Sequence, residues 1–242
     1  VRLLLSLLRI PYNRVEIDIE KEENRTEEFL KNVSSGGKLP VLILPRDYHQ
    51  KLSSRTSKKN DTIAESAATP KKVVIDDEVA SLSPFRPSDD IDLNPKIPDD
   101  GITFTESNAI LTLLSEGTSL FPRDPIDRAQ VMQWLFWEQY SLTPNISPLR
   151  RWITYMGVGE ESEYLDRIVE KQKQGYEALH LMEEHLRERK FFVGEAFTIV
   201  DIALYAYTHV GEEAGYSVDS FPMIRAWFHR VEQMAGFIPI ND

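Results

Sequence analysis

Gly36-Gly37-Lys38-Leu39-Pro40-Val41-Leu42-Ile43-Leu44 runs from a tight turn into a short apolar strand. Ser34-Ser35-Gly36-Gly37 supplies the turn, and Pro40 stands at the strand's start, where a missing ladder donor matters least. Working back, residues 25–32 predict a short polar helix that this turn ends. Arg14-Val15-Glu16-Ile17-Asp18-Ile19-Glu20 alternates, with Val15, Ile17 and Ile19 on one face, and predicts a half-buried strand. Val1 to Ile10 reads as the second half of an apolar helix stopped by Pro11. No capping residue precedes it, so a segment leading into this helix is expected to be missing.

Working forward, Pro45 to Pro98 changes character. It holds six of the fourteen prolines, a Ser/Lys-rich tract from Ser53 to Asn60, and the acidic pairs Asp76-Asp77 and Asp89-Asp90. Residues 46–98 are therefore expected to form a flexible insertion, with Val73-Val74-Ile75 as an alternative edge strand. Asp100-Gly101 signals a hairpin turn into the strand Ile102-Thr103-Phe104-Thr105. Glu106-Ser107 then opens a helix from Asn108 to Ser115. After the linker Leu120-Phe121-Pro122-Arg123-Asp124-Pro125, strand signals vanish. Helical periodicity covers 126–141, breaks near Pro144 and Pro148, resumes over 149–156, and continues through 161–189, 199–213 and 222–235. The predicted architecture is an α/β domain, residues 1–120, followed by an all-helical domain, residues 124–242.

Composition narrows the function. The 242 residues carry a net charge of −11, which disfavours nucleic acid and anionic membrane surfaces as partners. With no cysteine, there is no disulfide, thiolate metal site or cysteine nucleophile in this sequence. The apolar runs are too short for a membrane span, and no secretory signal is evident, so a cytoplasmic protein is expected. His180 and His185 are five apart and share no helix face, and no metal site is expected. Gly36-Gly37-Lys38 lacks the remaining spacing of a phosphate-binding loop.

Four motifs in order resemble the cytosolic glutathione S-transferase family. Asn32 to Val41, with Gly37-Lys38-Leu39-Pro40-Val41, is similar to that family's turn into a cis-proline strand. Thr105-Glu106-Ser107-Asn108-Ala109-Ile110 resembles its glutathione-binding helix start. Thr118 to Pro122 with Arg128-Ala129 resembles its interdomain linker, and Phe197-Thr198-Ile199-Val200-Asp201-Ile202-Ala203 its buried capping motif. The resemblance implies a thioredoxin-like first domain, here without its first strand and with a long insertion, joined to an all-helical second domain.

It also implies a site. Leu39, before a cis Pro40, would offer its backbone to the cysteinyl part of glutathione as an added strand. Ser107 would hold the γ-glutamyl carboxylate at a helix N-terminus, or serve only as a cap. Glu106 would take the ammonium group. Lys38 would pair with the glycyl carboxylate, or remain a solvated turn residue. Trp137 and Tyr140 are candidates for a second-substrate pocket, although the cluster Trp134, Phe136, Trp137, Tyr140 and Trp152 equally fits core periodicity. Arg150-Arg151 would attract an anion or lie on an exposed helix face. Thr198 and Asp201 form a capping box with Phe197 and Ile202 as its staple, a structural motif in either reading.

The family's thiol-activating Ser, Tyr or Cys falls before Val1, so the catalytic group is unknown. Ser6 lies too far into the helix to replace it, and Tyr12 follows the helix. The implied activity is conjugation of glutathione to small hydrophobic electrophiles, a detoxification, by a homodimer. The alternatives are a non-catalytic binding or regulatory module, and a glutathione-dependent isomerase or dehalogenase.

Overall fold

The computed structural model describes residues 1–46, 48, 101–158 and 163–240, and these fall into two units, Val1–Thr118 and Ser119–Asp242. Nearly all of the expected insertion, including residues 72–75, lies outside the described residues, as does Asp100.

In the first unit, helix α1 (Arg2–Leu7) buries Leu4, Leu5 and Leu7 and packs on helix α3 (Ser107–Ser115), which buries Ile110, Leu111 and Leu114. Helix α2 (Glu27–Asn32) is capped by Thr26, whose hydroxyl accepts from the Phe29 amide at 3.3 Å. Strands β1 (Val41–Leu44) and β2 (Ile102–Thr105) pair antiparallel, with Val41 opposite Thr105 and Leu44 opposite Ile102. The predicted strand over 14–20 does not form. Val15 and Ile19 are 58% and 48% exposed, and the chain turns at Asp18 instead. Asp18 Oδ1 accepts from the amides of Glu20 and Lys21 at 3.0 and 3.1 Å, a local alternative to a ladder.

Among the described residues of the second unit, every regular element is helical. Helix α4 (Pro125–Trp137) is capped by Asp124, which accepts from Ile126 and Asp127. A π-helical turn, Glu138–Leu142, leads directly into helix α5 (Thr143–Arg150), and a second π turn follows at Arg151–Tyr155. Neither proline interrupts the helix as expected. Pro144 follows the π turn directly, so its missing N–H falls where the helical ladder changes register and the helix runs on through it. Pro148 lies inside α5 and offers no N–H to the Pro144 carbonyl; Lys171 Nζ donates to that carbonyl instead, at 2.6 Å.

Helix α6 (Leu165–Leu186) turns Ile168, Gly175, Ala178, Leu179, Met182 and Leu186 inward, the spacing of one amphipathic face. Helix α7 (Ile199–Thr208) is almost wholly buried, and its first amide donates to the Leu120 carbonyl at 3.0 Å. Helix α8 (Pro222–Glu232) turns Ile224, Trp227 and Val231 inward. Its N-terminus is capped from outside, because Glu183 of α6 accepts from the amides of Met223 and Ile224, each at 2.9 Å. Both donors belong to a positive helix end, and Glu183 is buried. Glu183→Ala is expected to cost about 2 kcal/mol, the range for losing a charged cap, measurable by urea denaturation.

Candidate functional site

The antiparallel register decides what can come together in the first unit. Because Val41 faces Thr105, Lys38-Leu39-Pro40 leads into, and Glu106-Ser107 leads out of, the same end of the two-stranded ladder. The Leu39-Pro40 peptide is cis, as the resemblance implies, and Leu39 is exposed. Lys38 Nζ lies 3.5 Å from Glu106 Oε1, with both side chains largely solvated. Two residues expected to take opposite charges of one ligand thus face each other. Sequence spacing gives no sign of this, since they are 68 positions apart.

Glu106 occupies a sparsely populated backbone region, φ 66° and ψ 112°, at the N-cap of α3. A non-glycine residue there is strained by about 1–3 kcal/mol, a cost that concentrates at functional sites. Its side chain makes no cap bond. Ser107 is the first helical residue and Glu106 holds the N-cap position, so Ser107 is not the cap that the sequence allows for. The first-turn amides of α3 have no intrahelical acceptor, which leaves a partial positive charge beside a half-buried hydroxyl. Such an end accepts a carboxylate.

The aromatic residues of the second unit divide differently from the expectation. The core stripe runs Val131, Leu135, Glu138, Leu142, and Trp134 sits beside it. Phe136 and Tyr140 project from the opposite side, 67% and 85% exposed, so the core reading fails for them. Trp137 is half-buried with its ring edge-on to Trp134, centroids 5.1 Å apart. Trp134 also meets Phe192 and His185. The His185 Nε2–H donates to the Phe192 carbonyl at 2.9 Å, and burial pushes the imidazole below its ordinary pKa. A cleft of about 200 Å³ opens here, lined in part by Gln130, Gln133, Trp134 and His185, with neither Trp137 nor Tyr140 in its wall. Arg150 is not on an open face. Its Nε donates to Glu213 Oε2 at 2.6 Å and its side chain is mostly buried.

Glu138 is a polar residue buried in the core stripe, and the sequence reading does not single it out. Thr143 Oγ1 and Gln139 Nε2 both donate to it, one to each carboxylate oxygen. A lone Glu in an apolar stripe gives little sequence signal, because its partners come from the π turn and the next helix.

Among the described residues, no group of three His, Asp or Glu side chains is placed to hold a metal ion, and no helix is long and apolar enough to cross a membrane.

Known proteins agree on the ancestry. The family model for the glutathione S-transferase C-terminal domain matches residues 148–234. A tobacco (Nicotiana tabacum) protein described as "Probable glutathione S-transferase" is 31% identical over 161 residues, covering 61% of this chain and 67% of its own. A glutathione S-transferase of Emericella nidulans is 25% identical over 224 residues, covering 87% and 77% respectively. The solved glutathione S-transferase of Pseudomonas fluorescens Pf-5 superposes with a TM-score of 0.74 at 33% identity, spanning all of this chain and 92% of that one. The fold class is accordingly a thioredoxin-like α/β unit followed by an all-helical unit. With a third of its residues shared across almost the whole of a solved relative, this chain belongs to the glutathione S-transferase family.

Proposed function

We propose that this protein binds glutathione at the open end of the β1–β2 ladder, through Lys38, Leu39, Pro40, Glu106 and Ser107. In this reading residues 1–120 are the glutathione-binding domain and 124–242 the helical domain. The observation that carries it is the pairing of Val41 with Thr105, which gathers these five residues from two distant segments. Glutathione is an extended peptide with two carboxylates and one ammonium group, and each has a chemical match. Ser107, with its hydroxyl and amide at the start of α3, takes the γ-glutamyl carboxylate. Glu106 takes the ammonium, Lys38 the glycyl carboxylate, and the Leu39 backbone the cysteinyl unit in strand fashion. Binding then exchanges the Lys38–Glu106 pair for two pairs with the ligand.

The reaction proposed is conjugation of the glutathione thiol to a small hydrophobic electrophile. The thiolate is the attacking species, and a donor aimed at the sulfur keeps it ionised at neutral pH. None of the described residues is assigned that role. Trp137 and Tyr140 remain candidates for the electrophile's surroundings. No metal cofactor takes part in this reading. A homodimer and a cytoplasmic detoxifying role complete it, and a light-scattering mass at the 27.9 kDa of one chain would overturn the dimer.

Isothermal titration with glutathione tests the site. Wild-type protein is expected to bind, and Ser107→Ala to bind more weakly by about 1–3 kcal/mol, the cost of leaving a charged group short of a donor. Because Glu106 and not Ser107 holds the N-cap position, loss of the Ser107 hydroxyl is expected to leave thermal stability unchanged. Wild-type protein that takes up no glutathione would sink the reading. Binding without turnover of any electrophile would favour the non-catalytic module, whereas dehalogenation or isomerisation would favour the third alternative.

A further inference from the structure

A short 3-10 turn, Glu23–Arg25, holds the loop that carries Lys38 and Leu39. Asn24 is 92% buried, being 8% exposed, and its Nδ2 donates to the Gly37 carbonyl at 2.7 Å. Its Oδ1 has no partner among the described residues, so the Gly37 bond is the fixed point of this side chain. Arg25 Nη1 donates to the neighbouring Gly36 carbonyl at 3.3 Å, and the Gly37 amide donates back to Ser34 at 2.8 Å. The contact is close enough to dictate the residue. Gly37 has φ +61°, and a Cβ there would lie 2.7 Å from the Asn24 carbonyl oxygen. Two successive carbonyls are thus gripped immediately before Lys38, while Lys38 and Leu39 themselves stay exposed.

We propose that Asn24 is a positioning residue for the ligand-binding edge: by holding the Gly37 carbonyl, it fixes where the Lys38 ammonium and the Leu39 backbone stand. The inference rests on the glutathione reading for its ligand, but not for its geometry. A loop left free would have to be ordered on binding, and each immobilised segment subtracts from affinity. A loop held beforehand presents the Leu39 peptide already extended. The same hold keeps Lys38 within reach of Glu106, 3.5 Å away, so both charges flank one opening.

Asn24→Ala and Thr26→Ala form the test. Thr26 caps α2 two residues further on, and its hydroxyl bonds Glu23 and Phe29 but neither Gly36 nor Gly37, so its removal leaves in place the bonds that hold the two loop carbonyls. Glutathione affinity by titration and amide hydrogen exchange by NMR are measured for both variants and wild type, well below their melting temperatures. Asn24→Ala is expected to weaken glutathione binding about tenfold, the equivalent of one hydrogen bond, with faster exchange confined to residues 36–39. Thr26→Ala is expected to lower the melting temperature while leaving affinity within about twofold. Undiminished affinity in Asn24→Ala, or an equal loss in Thr26→Ala, would overturn the positioning role and leave the glutathione site standing. If wild-type protein binds no glutathione, the site reading falls by itself and exchange decides the clasp. Faster exchange at Lys38 and Leu39 in Asn24→Ala then upholds it, and unchanged exchange overturns it.

Discussion

Asp201→Ala is expected to destabilise the helical unit by about 4 kcal/mol, the largest loss predicted for a single side chain in this protein. Asp201 is fully buried and receives four donors. The Thr198 amide reaches Oδ2 at 2.9 Å and the Thr198 hydroxyl reaches it at 3.3 Å; the Trp227 indole N–H and the Phe192 amide reach Oδ1 at 3.0 and 3.3 Å. One carboxylate therefore ties the start of α7 to α8 and to the segment before α7. Removing it leaves three N–H groups buried without acceptors, and each unsatisfied group costs about 1–3 kcal/mol. Urea denaturation followed by the near-ultraviolet signal of the tryptophans reads the loss. A change under 1 kcal/mol would mean that water replaces the carboxylate at little cost.

The same residue gives a pH dependence of defined sign. Burial is the larger influence and pushes the carboxyl up from its ordinary value of 3.8 to about 6, against the pull of its donors. A folded-state value above the unfolded one means that the native protein holds the proton more tightly. Its contribution to stability is then fully present below about pH 4 and is lost as pH rises through about 6, an amount near 3 kcal/mol. Wild type compared with Asp201→Asn, which cannot ionise, is expected to show this decline between pH 4 and 6 and none above. A difference independent of pH would show that the four donors offset burial completely.

Gly175→Ala is expected to destabilise by about 3 kcal/mol, although the same change in an ordinary helix interior stabilises by about 1 kcal/mol. The sign reverses because Gly175 lies on the inner face of α6 directly beneath the Tyr216 phenol, and an added Cβ would overlap the ring and its hydroxyl. Tyr216 cannot easily yield. It is 2% exposed, and its Oη lies 2.8 Å from the Asn145 carbonyl and 2.9 Å from that of Lys171, sharing one proton between α5 and α6. Burial pushes the phenol above its ordinary pKa, so it remains a donor across the accessible pH range. Tyr216→Phe alone is expected to cost about 1 kcal/mol for the lost bond. Combined with Gly175→Ala it is expected to cost less than the sum, because deleting the hydroxyl removes the nearest overlap. Strict additivity in denaturation would show that the two side chains do not meet.

Elements whose causes are local are legible along the chain. Thr198 and Asp201 read as a capping box, and both reciprocal bonds are present, because the residues that make them are three positions apart. The strands at Val41–Leu44 and Ile102–Thr105, the helix after Glu106, and the amphipathic face of α6 follow the same logic of short-range pattern. Residues Lys38 to Pro40 and Glu106-Ser107 stand out in the sequence as motifs. That they share one end of a ladder depends on a pairing register across some sixty positions, which no local pattern encodes.

The remaining features share one kind of cause: the group that settles each of them comes from a distant part of the chain. Residues 14–20 alternate like a strand, but alternation specifies only a face; without a neighbouring ladder among the described residues, Asp18 takes its local turn bonds instead. Pro148 carries a helix-breaking signal, yet Lys171 from another helix supplies the donor that its ring removes. Tyr140 and Phe136 match an apolar period, but the burial of Glu138 and Leu142 turns them outward. Arg150 reads as a free surface cation until Glu213, 63 residues on, is folded against it. Propensity and periodicity act over a few residues. Satisfying a buried carbonyl or a buried charge requires whichever group the fold brings within about 3 Å, and only the folded chain identifies it.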